Sequence, residues 1–397
     1  MKYDFTTVID RHGKDSLALD GLGRGDHFSP DWPKEGFDVI PMWVADMNFP
    51  TVPTIQEAII ERAKHPMFGY YRPTKEYYRA IIDWQRTRNG VKDLQVRDVG
   101  YENGVLGGVI SAISAFASPG DSILLHSPTY MGFTRCITEN GFHIIHSPLK
   151  QDENGVMRMD YEDMDDKLRR YHIHVAVFCS PHNPCGRVWE REEIEKAMEV
   201  YRKNQCWSDL TLNGHKHTPT QSVSEDAKNR TIAFYAPSKT FNLAGLIGSY
   251  HIIYNPFLRD LVQNKASKSQ YNEMNVLSMH ALIGAYQPEG AEWVEELRKV
   301  LTENTEYACE HIWQNYPGVR VNRPEGTYML FLDLSEWCET NGQTLDEVMK
   351  AGWDVGVAWQ DGRPFHGPCA IRMNLALPMS RVQEAFDRLD KYVFAVK

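Results

Sequence analysis

Residues 231–254 read "TIAFYAPSKTFNLAGLIGSYHIIY", two apolar β-type runs separated by a short polar stretch of small residues around Lys239. A run such as "TIAFY", bounded by Pro and Ser, has the composition of a buried strand. The second run, "GSYHIIY", has the same character. A long cation held by Ser, Thr and Gly at the end of such a run is either a solvated loop lysine or a reacting amine.

Working outward, the middle of the chain alternates strand-like and helix-like segments. "SILLHS" (122–127), "HIIHSPL" (143–149) and "HVAVFCS" (174–180) are short β-branched or apolar runs closed by Pro, Gly or Asn. Between and before them lie amphipathic helices. "TVPTIQEAIIERAKH" sets Ile55, Ala58, Ile59 and Ala63 at helical spacing, and "TKEYYRAIIDWQRT", capped by Thr74, sets Tyr77, Ile81 and Trp84 on one stripe. This alternation predicts an α/β fold: a three-layer αβα domain on a mostly parallel sheet.

From about residue 286 the pattern changes. The charged helix "PEGAEWVEELRKVLTENTEYACEHIWQNY" precedes "TYMLFLDL", a helix near 343–351, "AIRMNLAL" and a last helix from Ser380. These segments predict a smaller α+β domain. The expected division is 50–285 for the large domain and 1–49 with 286–397 for the small one.

The chain has 397 residues, 42% hydrophobic and 24% charged, with a formal net charge of -10. Such a balance belongs to globular proteins and argues against nucleic-acid binding, which needs a basic surface. No stretch reads as a membrane span and the first residues have no apolar signal core, so a cytoplasmic location is expected. The seven cysteines are scattered, with no C-x-x-C pair, and indicate neither a disulfide framework nor a zinc site.

Four local signals bear on Lys239. "NGVLGG" (103–108) opens a helix, where glycine lets the backbone approach a phosphate and free N–H groups bind it. "SPHNPCGR" (180–187) follows a strand and offers Asn183 at the end where open α/β sheets bind ligands. "SPTYMGF" (127–133) presents Tyr130 at another strand end, a ring able to stack on a flat cofactor. Singly, these are a turn, a Pro-rich bend and a core tyrosine. Together with an imine-forming lysine, they describe pyridoxal 5′-phosphate.

The chain resembles the fold-type I pyridoxal-phosphate enzymes of the class I/II aminotransferase superfamily. "S-P-x-N-P-x-G-R", "P-S-K-T-F-N-L-A-G" and "I-R-M-N-L-A" stand in family order, and the likeness covers nearly the whole chain. "YDFTTVIDRHGKDSLALD" and "WVADMNFPTVPTIQEAI" resemble the cystathionine β-lyase-like C–S lyase branch, with Asn48 where an acid is usual.

By matched position, the resemblance implies that Lys239 carries the cofactor and serves as acid and base at the substrate α-carbon. It implies Asn183 against the cofactor 3-oxygen, Tyr130 on the ring, and Gly104, Val105 and Leu106 at the phosphate, with Ser238 helping. Arg372 takes the α-carboxylate of an amino-acid substrate, a task suited to a bidentate guanidinium. Tyr70 reaches the phosphate of a neighbouring copy, so a homodimer is expected. Two positions depart from the pattern: Ala236 stands where a serine is common and Ile247 where a basic residue is common.

The family also needs a carboxylate on the pyridine nitrogen, carried by an apolar strand ending S-D-E after the helix that follows "NPxGR". Here that helix runs into "NQCWSDLTLNGHKHTP" (204–219), with no apolar run. Either Asp209 serves on a shortened strand, or about one strand's length carrying the acid is missing. The second reading leaves 204–230 almost without regular structure, although loops beyond about 15 residues are uncommon in compact domains. We favour it, and it implies weakened carbanion chemistry.

The main expectation is a β-lyase that cleaves cystathionine, cysteine or related S-conjugates to thiol, pyruvate and ammonia. The alternatives are an aminotransferase sharing the same first steps and a regulatory binding protein that keeps the fold. "GLGRGDHF" (21–28) reads as a loop and "HKH" (215–217) as a solvated one, with no metal expected. Trp43 and Trp359 are either pocket walls or core.

Overall fold

The computed structural model describes residues 1–25, 28–153, 155–201, 217–269 and 272–395. The larger core is built on six strands: β1 (Val99–Glu102), β2 (Ser122–Ser127), β3 (His143–Pro148), β4 (Val175–Val177), β5 (Ala233–Tyr235) and β6 (Ser249–Ile252). They form two half-sheets, ordered β3-β2-β4 and β1-β6-β5. β2 runs parallel to both neighbours, with Leu124 opposite Ile145 and Ala176, and β6 runs antiparallel to both of its own.

Ile123 to His126 are all buried in β2, because helices cover both faces. The helix Val105–Phe116 packs on β1, β5 and β6 and against the helices Met131–Glu139 and Pro256–Ser269. Thr74 caps the helix Lys75–Arg88 by accepting from the Tyr77 amide, an arrangement worth about 1 kcal/mol. Of the stripe read from that helix, Tyr77 and Ile81 are buried and Trp84 stacks on Tyr286 at 4.4 Å.

Among the described residues, no strand pairs with the outer edge of β4 or of β5. A cavity of about 520 Å³ is walled by β4, by Ile232 just before β5, and by Val109, Ala112, Ile113 and Phe116 of the helix Val105–Phe116. Asp209 lies outside the described residues, as do His215 and Lys216. The expectation of an irregular 204–230 is corrected in part, since Thr220–Ser222 forms a turn of 3₁₀ helix and Glu225–Arg230 an α-helix. Ser224 caps the latter by accepting from the Ala227 amide.

A second sheet follows: β7 (Arg320–Val321), β8 (Met329–Asp333), β9 (Gln360–Asp361) and β10 (Ala370–Asn374), ordered β7-β8-β10-β9 and antiparallel throughout. The helices Pro288–Asn315, Leu345–Asp354 and Met379–Tyr392 accompany it, and Leu330, Leu332, Ile371, Val382 and Phe386 share one buried cluster. The N-terminal stretch joins this region. Ile40–Pro41 pairs in parallel with Val357–Ala358, and Phe5 packs between Phe49 and Trp293 with ring centroids 5.3 and 5.5 Å away.

Candidate active site

The loops at the C-terminal ends of β1, β2, β4 and β5 converge on a cavity of about 420 Å³. Gly104, Val105, Leu106, Tyr130, Asn183, Ser238 and Lys239 all line it. Strand-end polar loops in an α/β sheet meet there because the helices following each strand push the connections to one side.

β1 ends at Glu102, and Gly104 turns the chain into the helix Val105–Phe116. Its φ of +83° and ψ of 147° are open to glycine and strained for other residues. The N–H groups of Val105 and Leu106 fall in the first helical turn, where the helix itself supplies no acceptor. Ala236 and Ile247 also line the cavity, and Lys239 is the one Lys or Arg among the described residues that do. What the glycine end offers an anion is backbone N–H groups and the helix dipole.

Lys239 sits in the single helical turn Pro237–Thr240 that follows β5. Its Nζ donates to the Ala45 carbonyl at 3.0 Å, an acceptor shared with the Tyr328 hydroxyl at 3.1 Å. The side chain is reached by solvent through the cavity, yet enough protein surrounds it that burial lowers its pKa. The Arg372 charge lowers it further, and Asp46 opposes both.

Asn183, beyond β4, has a buried Oδ1 without a partner. Tyr130 begins the helix Met131–Glu139, its ring edge-on to Phe133 at 5.5 Å, and burial raises its pKa. Among the described residues lining the cavity, none is Asp or Glu.

Arg372, in the middle of β10, is only 3% exposed and stands behind the cavity wall rather than on it. Its Nη2 donates to the Trp43 carbonyl and to Gln360 Oε1, and its guanidinium lies over the Phe365 ring at 4.4 Å. Burial brings its pKa down to about 10, so it stays cationic at neutral pH. Nε and Nη1 have no partner. A buried cation with one edge unsatisfied is costly unless a ligand completes it.

The segment 43–48 proved more involved than the sequence indicated. Its carbonyls at Trp43 and Ala45 hold Arg372 and Lys239, while Asn374 Nδ2 donates to the carbonyls of Val44 and Asp46. Arg11 fixes the segment through both oxygens of Asp46, at 2.8 and 2.7 Å, and through Asn48 Oδ1 at 3.0 Å. Asn48 thus keeps a partner despite its departure from the usual acid. Only the "WVADMNF" signature could have flagged this segment.

Tyr70 is fully exposed and away from the cavity of its own chain. Trp43 and Trp359 are entirely buried and do not line the cavity, so packing is their role and the pocket-wall alternative falls. His217 is corrected as well. It is buried, with its ring 6.3 Å from that of Tyr235, because the chain re-enters the core there instead of remaining in a solvated loop.

This architecture is that of the fold-type I pyridoxal-phosphate enzymes. The model of the aminotransferase class I and II family matches residues 38–389, and the chain belongs to that family. Cystathionine β-lyase PatB of Bacillus subtilis is 31% identical, over 91% of this chain and 95% of that protein. The crystal structure of cystalysin from Treponema denticola, which contains a pyridoxal 5′-phosphate cofactor, superposes with a TM-score of 0.89 at 29% identity, covering 98% of each chain. A PLP-bound putative aminotransferase from Clostridium difficile 630 gives 0.88 at 30% identity, over 98% of this chain and 99% of that one.

Proposed function

We propose that this chain is a pyridoxal-phosphate-dependent carbon–sulfur β-lyase that releases thiol, pyruvate and ammonia from cystathionine, cysteine or a related S-conjugate. The observation that carries the reading is Lys239, an amine of lowered pKa in a cavity shared with a glycine-opened helix start, a tyrosine ring and an unpartnered asparagine oxygen. The residues present fit the cofactor. About 420 Å³ is within the range of small-molecule sites, and the orphaned polar atoms of Asn183 and Arg372 call for polar partners. Similarity to PatB favours the lyase outcome.

When bound, pyridoxal phosphate supplies an aldehyde to join an amine and a conjugated ring to hold the electron pair left at the α-carbon. In this assignment Lys239 holds the cofactor covalently and then moves the proton at the α-carbon, a role its lowered pKa favours. Tyr130 faces the ring and Asn183 the 3-oxygen. Gly104, Val105 and Leu106 receive the phosphate with help from Ser238. Arg372 offers its free Nε–Nη1 edge to the α-carboxylate, fixing the substrate so that the bond to be broken is correctly turned.

Tyr70 is assigned to the phosphate of a second copy, in a homodimer. Support comes from the exposed apolar side chains of Met67, Phe68 and Tyr71 near it in the chain. We also assign 50–285 to the larger domain and 1–49 with 286–397 to the smaller. Among the described residues no helix is long and apolar enough to cross a membrane.

The test is incubation of the holoenzyme with L-cystathionine and no keto acid. Equal yields of thiol and pyruvate are expected, and both vanish in Lys239→Ala together with the borohydride-sensitive absorbance band. An aminotransferase, the reading that the likeness to the Clostridium difficile structure favours, would exchange amino groups only when a keto-acid acceptor is supplied. Failure of the wild-type chain to develop the band with pyridoxal phosphate would overturn the cofactor assignment itself.

A further inference from the structure

Among the described residues lining the cavity no cation other than Lys239 stands by to help the glycine turn, so whatever aims its N–H groups governs phosphate binding. Four buried or half-buried residues do so: Asn272, Glu102, His251 and Ser249. Asn272 Oδ1 accepts from the Asn103 amide at 2.6 Å, and Asn272 Nδ2 donates to the Tyr101 carbonyl at 2.8 Å and to Glu102 Oε2 at 3.1 Å. One amide side chain thereby clamps three successive residues immediately before Gly104.

Glu102 is 0% exposed, and its other oxygen meets His251 Nδ1 at 2.6 Å. The Glu102 carbonyl accepts from the Gly104 amide at 2.9 Å and from Ser249 Oγ at 2.9 Å. The glycine turn is thus tied both to the neighbouring strand β6 and to the connection that enters the helix Val276–Ala285. A turn whose direction is set in advance loses little freedom when an anion binds, and that saving appears as affinity.

We infer that Asn272 is a positioning residue for the phosphate-binding turn, seated by the buried Glu102–His251 pair. The inference rests on the cofactor assignment above and adds to it a residue that never touches the cofactor. It acts on the phosphate alone, which separates it from a general contribution to folding. Pyridoxal, which has the aldehyde and ring but no phosphate, makes that separation measurable.

The experiment titrates the cofactor-stripped full chain with pyridoxal phosphate and, separately, with pyridoxal, following the borohydride-sensitive band. In Asn272→Ala, affinity for pyridoxal phosphate should fall about tenfold or more, the usual result of removing one partner of a buried hydrogen-bond set. Affinity for pyridoxal should change less than about threefold. Asn272→Ser, a smaller loss, should show the same preference in weaker form and carries the test if the alanine variant does not fold. Equal weakening of both ligands, or no change in either, would overturn the inference. A wild-type chain that binds neither ligand would instead remove the cofactor assignment on which it rests.

Discussion

The two half-sheets hold opposite sides of the same cavity in different ways. On the β1-β6-β5 side the glycine turn is tied by Asn272, Glu102, His251 and Ser249, with its donors in the first turn of a buried helix. On the β3-β2-β4 side, Tyr130 and Asn183 stand at strand ends, but the outer edge of β4 has no strand partner among the described residues, and neither has that of β5. A cavity of about 520 Å³ lies between β4 and the start of β5. The site's halves are joined by the helix Val105–Phe116, which packs on β1, β5 and β6 and on the helix Met131–Glu139 that follows β2, while the segment 43–48 ties Lys239 to Arg372 and Asn374 of the second sheet. The glycine turn is thus held by side chains far away in the sequence, while Tyr130 and Asn183 each follow on their own strands.

Several measurements would break or sharpen that contrast. Arg372→Ala should give the largest change, a fall in kcat/KM for cystathionine of about a hundredfold or more, as expected for losing a buried charge-assisted pair with the substrate carboxylate. The cofactor band of that variant should still form, with its pH dependence moved upward because the Arg372 charge that lowers the Lys239 pKa is gone. If the band is lost as well, the separation of substrate and cofactor roles is wrong.

The smallest effect is predicted for Asp209→Asn. If the acid-bearing strand is missing, the cofactor band and the already weak turnover should change less than about twofold. A large loss would instead assign the pyridine-nitrogen role to Asp209.

Much of the site could be read from the chain because its parts are local. Lys239, Asn183 and Tyr130 each follow an apolar run, and Gly104 opens an apolar helix written in the residues after it. The helix running into polar residues with no β-type stretch after it remains a reading of the sequence alone, since 202–216 lie outside the described residues. What escaped was everything that depends on distant partners. Nothing in residues 43–48 announces that their carbonyls will hold Lys239, 194 positions away, and Arg372, 329 positions away. Asn272 reaches Asn103 across 169 positions and gives no sign of it in its own neighbourhood. His217 reads as a loop histidine and is buried.

By itself, the sequence determined the order of strands and helices and the chemical type offered at each strand end, since hydrophobic period and turn chemistry act over a few residues. Only the tertiary structure decided which of those groups meet, how far burial lowers the Lys239 and Arg372 pKa values, and which edge of Arg372 is left for a ligand. Solvent exclusion and hydrogen-bond satisfaction are properties of the whole packed chain, and no local stretch contains them.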